Sequence, residues 1–387
     1  MRILFTFAGG SGHLEPLVPL ARAAQAAGHV VAFVGRPWMV PKVEGLGFEA
    51  FSAGSDVGLT PVRRPLAALD VEREMQDLAY GFGRRLARER AADILPLRRT
   101  WQPDLVVSEE TDFGAMVVAE SLGLPQATVL VIAAGSFIRT EFVAEPLNDV
   151  RAEYGLPPDP TLAMLTRYLV LSPFPPSLRD PAFPLPATSH LFRSPDVAPP
   201  APPSWLARLG DAPIVYFTLG TVFPMESGDL FHRVIAGLRD LPINLVVTVG
   251  RDFDPSELGP QPPNVRVERY IPQAEILPFC HMVVCHGGSG SLMGALTHGL
   301  PMVLIPMGAD QPLNADRCEA VGVGHWLDPI ALTPETARET VLDVLETPSY
   351  RLAAARLRQE IAGFPTADSA IALLERLAAE RRPIMST

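Results

Sequence analysis

Short apolar runs that each lead into a helical stretch, repeated in two separate blocks, constrain this chain more than any other feature. In the first block Ile3 to Ala8, Val30 to Val34, Leu105 to Val107 and Ala127 to Ile132 read as buried strands. In the second, Ile214 to Thr218, Leu245 to Val249, Met282 to Cys285 and Met302 to Ile305 read the same way. Runs that are apolar throughout, rather than alternating, belong to strands covered on both faces, so each block predicts a doubly wound parallel sheet. Helical spacing covers Leu14 to Ala27, with Pro16 and Pro19 confined to about its first turn. Asp70 to Arg99 reads as one or two long amphipathic helices, and Gly135 to Thr166 has no clear period. In the second block the helices fall at Ser227 to Leu241, Ser289 to His298, Asn314 to Val321, Pro334 to Leu345, Tyr350 to Ile361 and Ala367 to Arg381.

Between the blocks, prolines crowd together from Pro173 to Pro203, more densely than a helix or a central strand could absorb. A chain of 387 residues exceeds one ordinary core. The predicted organisation is therefore an α/β chain of two Rossmann-like, doubly wound domains facing across a cleft. Residues 1–200 form an amino-terminal domain ending in the proline-rich linker, 201–365 a carboxy-terminal domain, and 366–387 a last helix that could pack back on the first domain.

Charge and composition narrow the partners. A formal net charge of -11 with no cluster of Lys and Arg argues against nucleic acid. The first residues run straight into a turn rather than through a signal peptide, and no segment is long and apolar enough to span a bilayer. Three cysteines, Cys280, Cys285 and Cys318, make no even framework, so a reducing cytoplasm is expected. Cys280-His281 and Cys285-His286 lack a second ligand pair at zinc spacing, and Asp252-Phe253-Asp254 reads as solvated turn chemistry; no metal is expected.

Two glycine-rich turns stand where a strand runs into a helix: Gly9-Gly10-Ser11-Gly12-His13 and His286-Gly287-Gly288-Ser289-Gly290-Ser291. Ligands of open α/β sheets bind beyond the carboxyl ends of the strands, and free amides at a helix start favour anions. The first turn is a poor dinucleotide fingerprint, because Glu15 stands where the third glycine belongs. His13 opens a helix whose dipole keeps the ring neutral, which makes it a base. Its orienting carboxylate should lie just after another strand, where Glu109, Glu110 and Asp112 are the candidates, Glu109 first and Asp112 second. In the second turn, the amides and the Ser289 and Ser291 hydroxyls could cradle phosphate, with His286 as a further donor.

These motifs resemble those of the nucleotide-sugar-dependent glycosyltransferases of family 1, the GT-B enzymes that decorate small molecules in bacteria and plants. The likeness spans nearly the whole chain. After the His13 loop, Tyr270-Ile271-Pro272-Gln273, His286 to Ser291, Gly299-Leu300-Pro301-Met302, Pro306 and Asp310-Gln311 follow in the order of that family's donor signature. The resemblance implies His13 as general base, with Glu109 where the family usually has an aspartate. Gly12, Gly220 and Thr221 would join His286, Gly287, Gly288, Ser289, Gly290 and Ser291 around the diphosphate. Tyr270, Ile271 and Gln273 would line the nucleoside, Tyr270 standing where many relatives have tryptophan, and Asp310 and Gln311 would bond sugar hydroxyls.

The expected activity is inverting, metal-independent transfer of a hexose or deoxyhexose from a UDP- or TDP-sugar to a hydroxyl of a small apolar acceptor, with no other cofactor. Phe82, Phe137, Ile138 and Phe142 are the expected acceptor wall. A sugar-nucleotide epimerase or hydrolase, or a non-catalytic nucleotide-sugar-binding activator, is the alternative on this fold. Monomer and homodimer are both compatible with the sequence.

Overall fold

The computed structural model describes residues 1–56, 65–195, 201–206, 209–221 and 223–386. The linker prolines Pro199 and Pro200, and with them the expected domain boundary, lie outside the described residues.

Seven strands build the front sheet: β1 (Arg2–Thr6), β2 (Val30–Gly35), β3 (Glu49–Ser52), β4 (Leu105–Glu109), β5 (Gln126–Val129), β6 (Leu169–Ser172) and β7 (Ser189–Leu191). Six build the rear sheet: β8 (Ile214–Thr218), β9 (Asn244–Thr248), β10 (Val265–Glu268), β11 (Met282–Cys285), β12 (Met302–Leu304) and β13 (Gly324–Trp326). The orders are β3-β2-β1-β4-β5-β6-β7 and β10-β9-β8-β11-β12-β13, and the named strand pairings are parallel. Each sheet winds outward in both directions from a central pair, β1/β4 in front and β8/β11 behind. The loops leaving such a pair diverge to opposite faces and open a crevice. The loops that carry Gly10 to His13, Thr111, Gly220 with Thr221, and His286 to Ser291 leave these two pairs, while those of Val131 with Ile132, Tyr270 to Gln273 and Asp310 with Gln311 leave the neighbouring strands β5, β10 and β12.

The strands missed by the sequence reading, β3, β6, β7, β10 and β13, lie away from the centre of their sheets, and all but the buried β6 carry partly exposed positions that break the apolar run. The expected helix from Leu14 to Ala27 is two helices, Ser11–Leu14 and Val18–Ala26, because Pro16 interrupts it and Pro19 sits in the first turn of the second. The stretch after Asp70 is helical, but its middle, Leu78–Leu86, is wound as a π-helix. The segment without a period holds a real helix, Thr140–Glu153, with Pro146 inside it.

The helix Phe113–Ser121, apolar from Phe113 to Ala119, fills the front core, capped by Asp112, whose carboxylate accepts the Ala115 N–H at 3.3 Å. Gly114 lets it touch the helix Ala87–Ile94, since a Cβ there would stand 2.5 Å from the Ala87 carbonyl oxygen. The last helix, Ala367–Glu380, packs on Val18–Ala26 and buries Ile371, Leu374 and Leu377 in the front core. The chain thus crosses to the front lobe after completing the rear one.

Candidate active site

Alignment of Thr6 with Ser108 across β1 and β4 sets the end of β4 beside the turn after β1. The Ala8 N–H then donates to Glu109 Oε1 at 3.0 Å, and His13 Nδ1 lies 3.3 Å from the same oxygen. Glu109 is fully buried, and the turn after it folds back over the carboxylate. The Thr111 N–H reaches Oε2 at 2.8 Å and the Thr111 hydroxyl donates to Oε1 at 2.7 Å. Those bonds take up the methylene that distinguishes Glu from Asp here. With its proton on Glu109, the Thr111 hydroxyl can only accept from His13 Nδ1, 3.3 Å away, so the imidazole carries its hydrogen on Nδ1 and keeps Nε2 as the basic atom.

The ring is wedged against Gly9, where a Cβ would come within 2.1 Å of it, and stacks 6.2 Å from the Phe82 ring. Burial pulls the imidazole pKa down, but the charge and hydrogen bond of Glu109, with Asp310 and Glu110 beyond, carry it above its ordinary 6.5. The expectation that a helix dipole keeps the ring neutral is therefore corrected. The helix Ser11–Leu14 is a single turn with His13 near its end rather than at its start, and a full carboxylate charge at 3.3 Å outweighs such a dipole. Burial pushes Glu109 up, yet His13 and the two backbone donors bring it below the usual carboxylate value.

The rival acids go elsewhere. Asp112 receives both prongs of the buried Arg90 guanidinium, at 2.8 and 2.5 Å, while capping its helix, so it belongs to the front core and not to the His13 pair. Glu110 turns to the other side of the strand and accepts the Val131 and Ile132 N–H groups at 2.5 and 2.7 Å. Burial pushes its carboxyl up to about 7, against the pull of Arg179.

His13 lines a cavity of about 520 Å³ that both lobes enclose. On its rear side stand Gly220, Thr221, Gly288, Gly290 and Ser291, with the amide end of the helix Ser289–Thr297. His286 stands between Gly220 and Gly288, where added Cβ atoms would fall 2.6 and 2.5 Å from its ring. Burial drives its pKa down to about 4, so it meets a ligand as a neutral imidazole. Gly287 adopts φ +83 and stays off the cavity surface, shaping the turn from beneath.

Gln273, Ile271 and Tyr270 line the far end, and the Arg251 guanidinium sits 4.8 Å over the exposed Tyr270 ring. The Ser291 hydroxyl accepts from Gln273 Nε2 at 3.2 Å and keeps its own proton to give. Ser289 differs from expectation. It lines the cavity, but its hydroxyl donates to Asp310 Oδ2 at 2.7 Å and accepts the Ala133 N–H at 2.9 Å, so it also joins the two lobes. Gln311 is buried with Oε1 on the Met307 N–H at 2.8 Å, which leaves its Nε2 as the polar group to offer.

The apolar wall is Leu78 and Phe82, from the π-helix, with Val131, Ile132 and Phe137. Ile138 and Phe142 are not on it; both pack against the core behind, Phe142 from the helix Thr140–Glu153 and Ile138 from the segment just before it. Thr111, Glu110, Arg90 and Asn314 were not foreseen in these positions, and only the Asp310-Gln311 spacing hinted at a polar partner one turn on. Among the described residues no group of three or more His, Cys, Asp or Glu could hold a metal ion, and no helix is long and apolar enough to cross a membrane. All three cysteines are free and buried, and burial raises their pKa values.

Over residues 232–377 the sequence matches the family described as erythromycin biosynthesis protein CIII-like, C-terminal domain. Along its length it is similar to the 10-deoxymethynolide desosaminyltransferase of Streptomyces venezuelae, 32% identical over 425 residues, covering 99% of this chain and 98% of that one. The L-demethylnoviosyl transferase of Streptomyces niveus is 33% identical, covering 99% of each chain. Among solved structures, glycosyltransferase VinC in complex with dTDP matches with a TM-score of 0.78 and 25% identity, over 98% of this chain and 100% of that one.

Proposed function

Because this chain belongs to the family-1, GT-B glycosyltransferases of antibiotic biosynthesis, we propose that it transfers a hexose or deoxyhexose from a UDP- or TDP-sugar to a hydroxyl of a small, largely apolar natural product, inverting the anomeric carbon. The observation that carries this reading is a histidine, fixed by a buried carboxylate, lining one cavity with the amide end of a helix. A relative solved with dTDP, and relatives named for desosamine and demethylnoviose transfer, favour thymidine diphosphate and a deoxysugar.

His13 Nε2 takes the proton of the acceptor hydroxyl as that oxygen bonds to the anomeric carbon. The bond from that carbon to the diphosphate breaks, and its electron pair leaves on the phosphate oxygen. Charge therefore grows where the amides at the start of the Ser289–Thr297 helix, the Ser291 hydroxyl and His286 converge, which makes their stabilisation greatest in the transition state. The imidazolium formed at the same moment is met by Glu109. Asp310 and Gln311 hold sugar hydroxyls, and Leu78, Phe82, Val131, Ile132 and Phe137 take the apolar face of the acceptor. In this scheme no divalent cation is needed, and a chelator should leave turnover unchanged.

The test is incubation with a panel of UDP- and TDP-sugars and polyketide or aromatic alcohols, read by mass shift and by the anomeric configuration of the product. Diphosphate should appear only when an acceptor is glycosylated; equal release without acceptor would favour the hydrolase. Replacing His13 by Ala should lower kcat by about two to four orders of magnitude, and near-normal turnover would remove it as the base.

A further inference from the structure

Four consecutive backbone amides after β5 divide between the two lobes. Those of Val131 and Ile132 donate to Glu110 in the front lobe, at 2.5 and 2.7 Å. Those of Ala133 and Ala134 donate to Ser289 Oγ and Asn314 Oδ1 in the rear lobe, each at 2.9 Å. The side chains of Val131 and Ile132 line the cavity, so this strap is at once an acceptor wall and the joint between lobes.

Asn314 is 1% exposed on the helix Gln311–Ala320. Its Nδ2 donates to Asp310 Oδ2 at 2.8 Å and to the Gly287 carbonyl oxygen at 3.0 Å. A backbone N–H can only donate, so the Asn314 atom that meets Ala134 must be the oxygen, and the amide nitrogen is thereby turned toward Asp310. Take the strap away and the Asn314 oxygen loses its donor, which leaves the amide held through its nitrogen alone, by Asp310, Gly287 and Ser289. Ser289, which also bonds Asp310, loses its front-lobe partner in the same event.

We propose that Asn314 is a positioning residue that steadies the Asp310 carboxylate for the donor sugar and is itself steadied by the docked strap of the front lobe, so that sugar recognition strengthens with closure and acceptor-wall placement. This rests on the reading of Asp310 as a sugar-binding group. It gives a physical reason for ordered use of the cleft. The sugar is held most firmly against an assembled acceptor wall.

The test compares wild type, Asn314→Ala and Asn314→Asp in binding the most productive sugar nucleotide of the panel and the matching free diphosphate, which does not reach Asp310. Asn314→Ala should bind the free diphosphate within about twofold of wild type while losing about tenfold or more in affinity for the intact donor. Its donor KM should rise accordingly. Asn314→Asp keeps an acceptor for Ala134 but sets a second carboxylate against Asp310, so the two must share a proton. Its preference for intact donor over free diphosphate should therefore recover as pH is lowered, which a merely structural role would not produce.

Equal weakening of both ligands in Asn314→Ala, or a preference in Asn314→Asp that ignores pH, would overturn the proposal. If the alanine variant does not fold, the near-isosteric aspartate variant decides alone. A wild-type chain that binds donor and free diphosphate equally well would overturn the reading of Asp310 itself, and the proposal with it.

Discussion

His13 and Glu109 move one another in opposite directions, and that exchange sets how the protein should respond to pH. Glu109 is held below its ordinary 4.5, so its share of stability is present above that value and is lost as pH falls through the lower, folded-state one. His13 is held above 6.5, so its share is complete below 6.5 and is lost as pH rises through the higher, folded-state one. The pair therefore contributes fully between 4.5 and 6.5. Catalysis asks for the opposite protonation of the ring, because a base must be neutral. The acid limb of kcat/KM should accordingly lie above pH 6.5, with a plateau beyond it. Glu109→Gln keeps an acceptor for Nδ1–H but removes the charge, leaving burial to dominate. Its limb should move down by about one pH unit or more while the plateau falls, and an unmoved limb would show that Glu109 does not govern His13.

At the scale of elements, each glycine turn works because backbone and side chain compete for the same space. Gly220 has φ +77 and lies where a Cβ would meet the His286 ring at 2.6 Å. Gly220→Ala should lower the thermal midpoint and weaken diphosphate binding together, since the left-handed backbone costs about 1–2 kcal/mol for any other residue even before the clash. Gly290, in the neighbouring turn, would place its Cβ in open space. Gly290→Ala should keep the wild-type midpoint and still lose diphosphate affinity, because the methyl occupies room meant for the ligand. Calorimetric melting beside a binding titration checks both; a Gly290→Ala protein that binds normally would move the phosphate elsewhere. The turns themselves were legible in the sequence, as were the central strands that lead into them. The helix Thr140–Glu153 was not, because Pro146 and its mixed polarity hide a period that packing against the front core enforces.

For the molecule as a whole, the return of the last helix to the front lobe ties the two ends of the chain together. Ile371, Leu374, Leu377 and Ile384 are buried in the front core, worth on the order of 6–12 kcal/mol in transfer energy, about as much as a domain's entire net stability. A chain ending at Pro365 should lose the front-lobe transition in calorimetry while the rear lobe still melts; an intact front-lobe transition would refute that accounting. Sequence alone determined the central strands and the glycine loops that carry chemistry, because apolar period, proline and glycine act on the chain locally. It also placed His13 and His286 at strand ends. Which acid meets the histidine was decided only by the tertiary structure: β4 lies beside β1 in one register, side chains alternate along a strand, and so Glu109 faces His13 while Glu110 faces the strap. The joining of the lobes through Ser289 and Asn314 was likewise invisible, because a hydrogen bond between residues 180 positions apart leaves no local trace in the sequence.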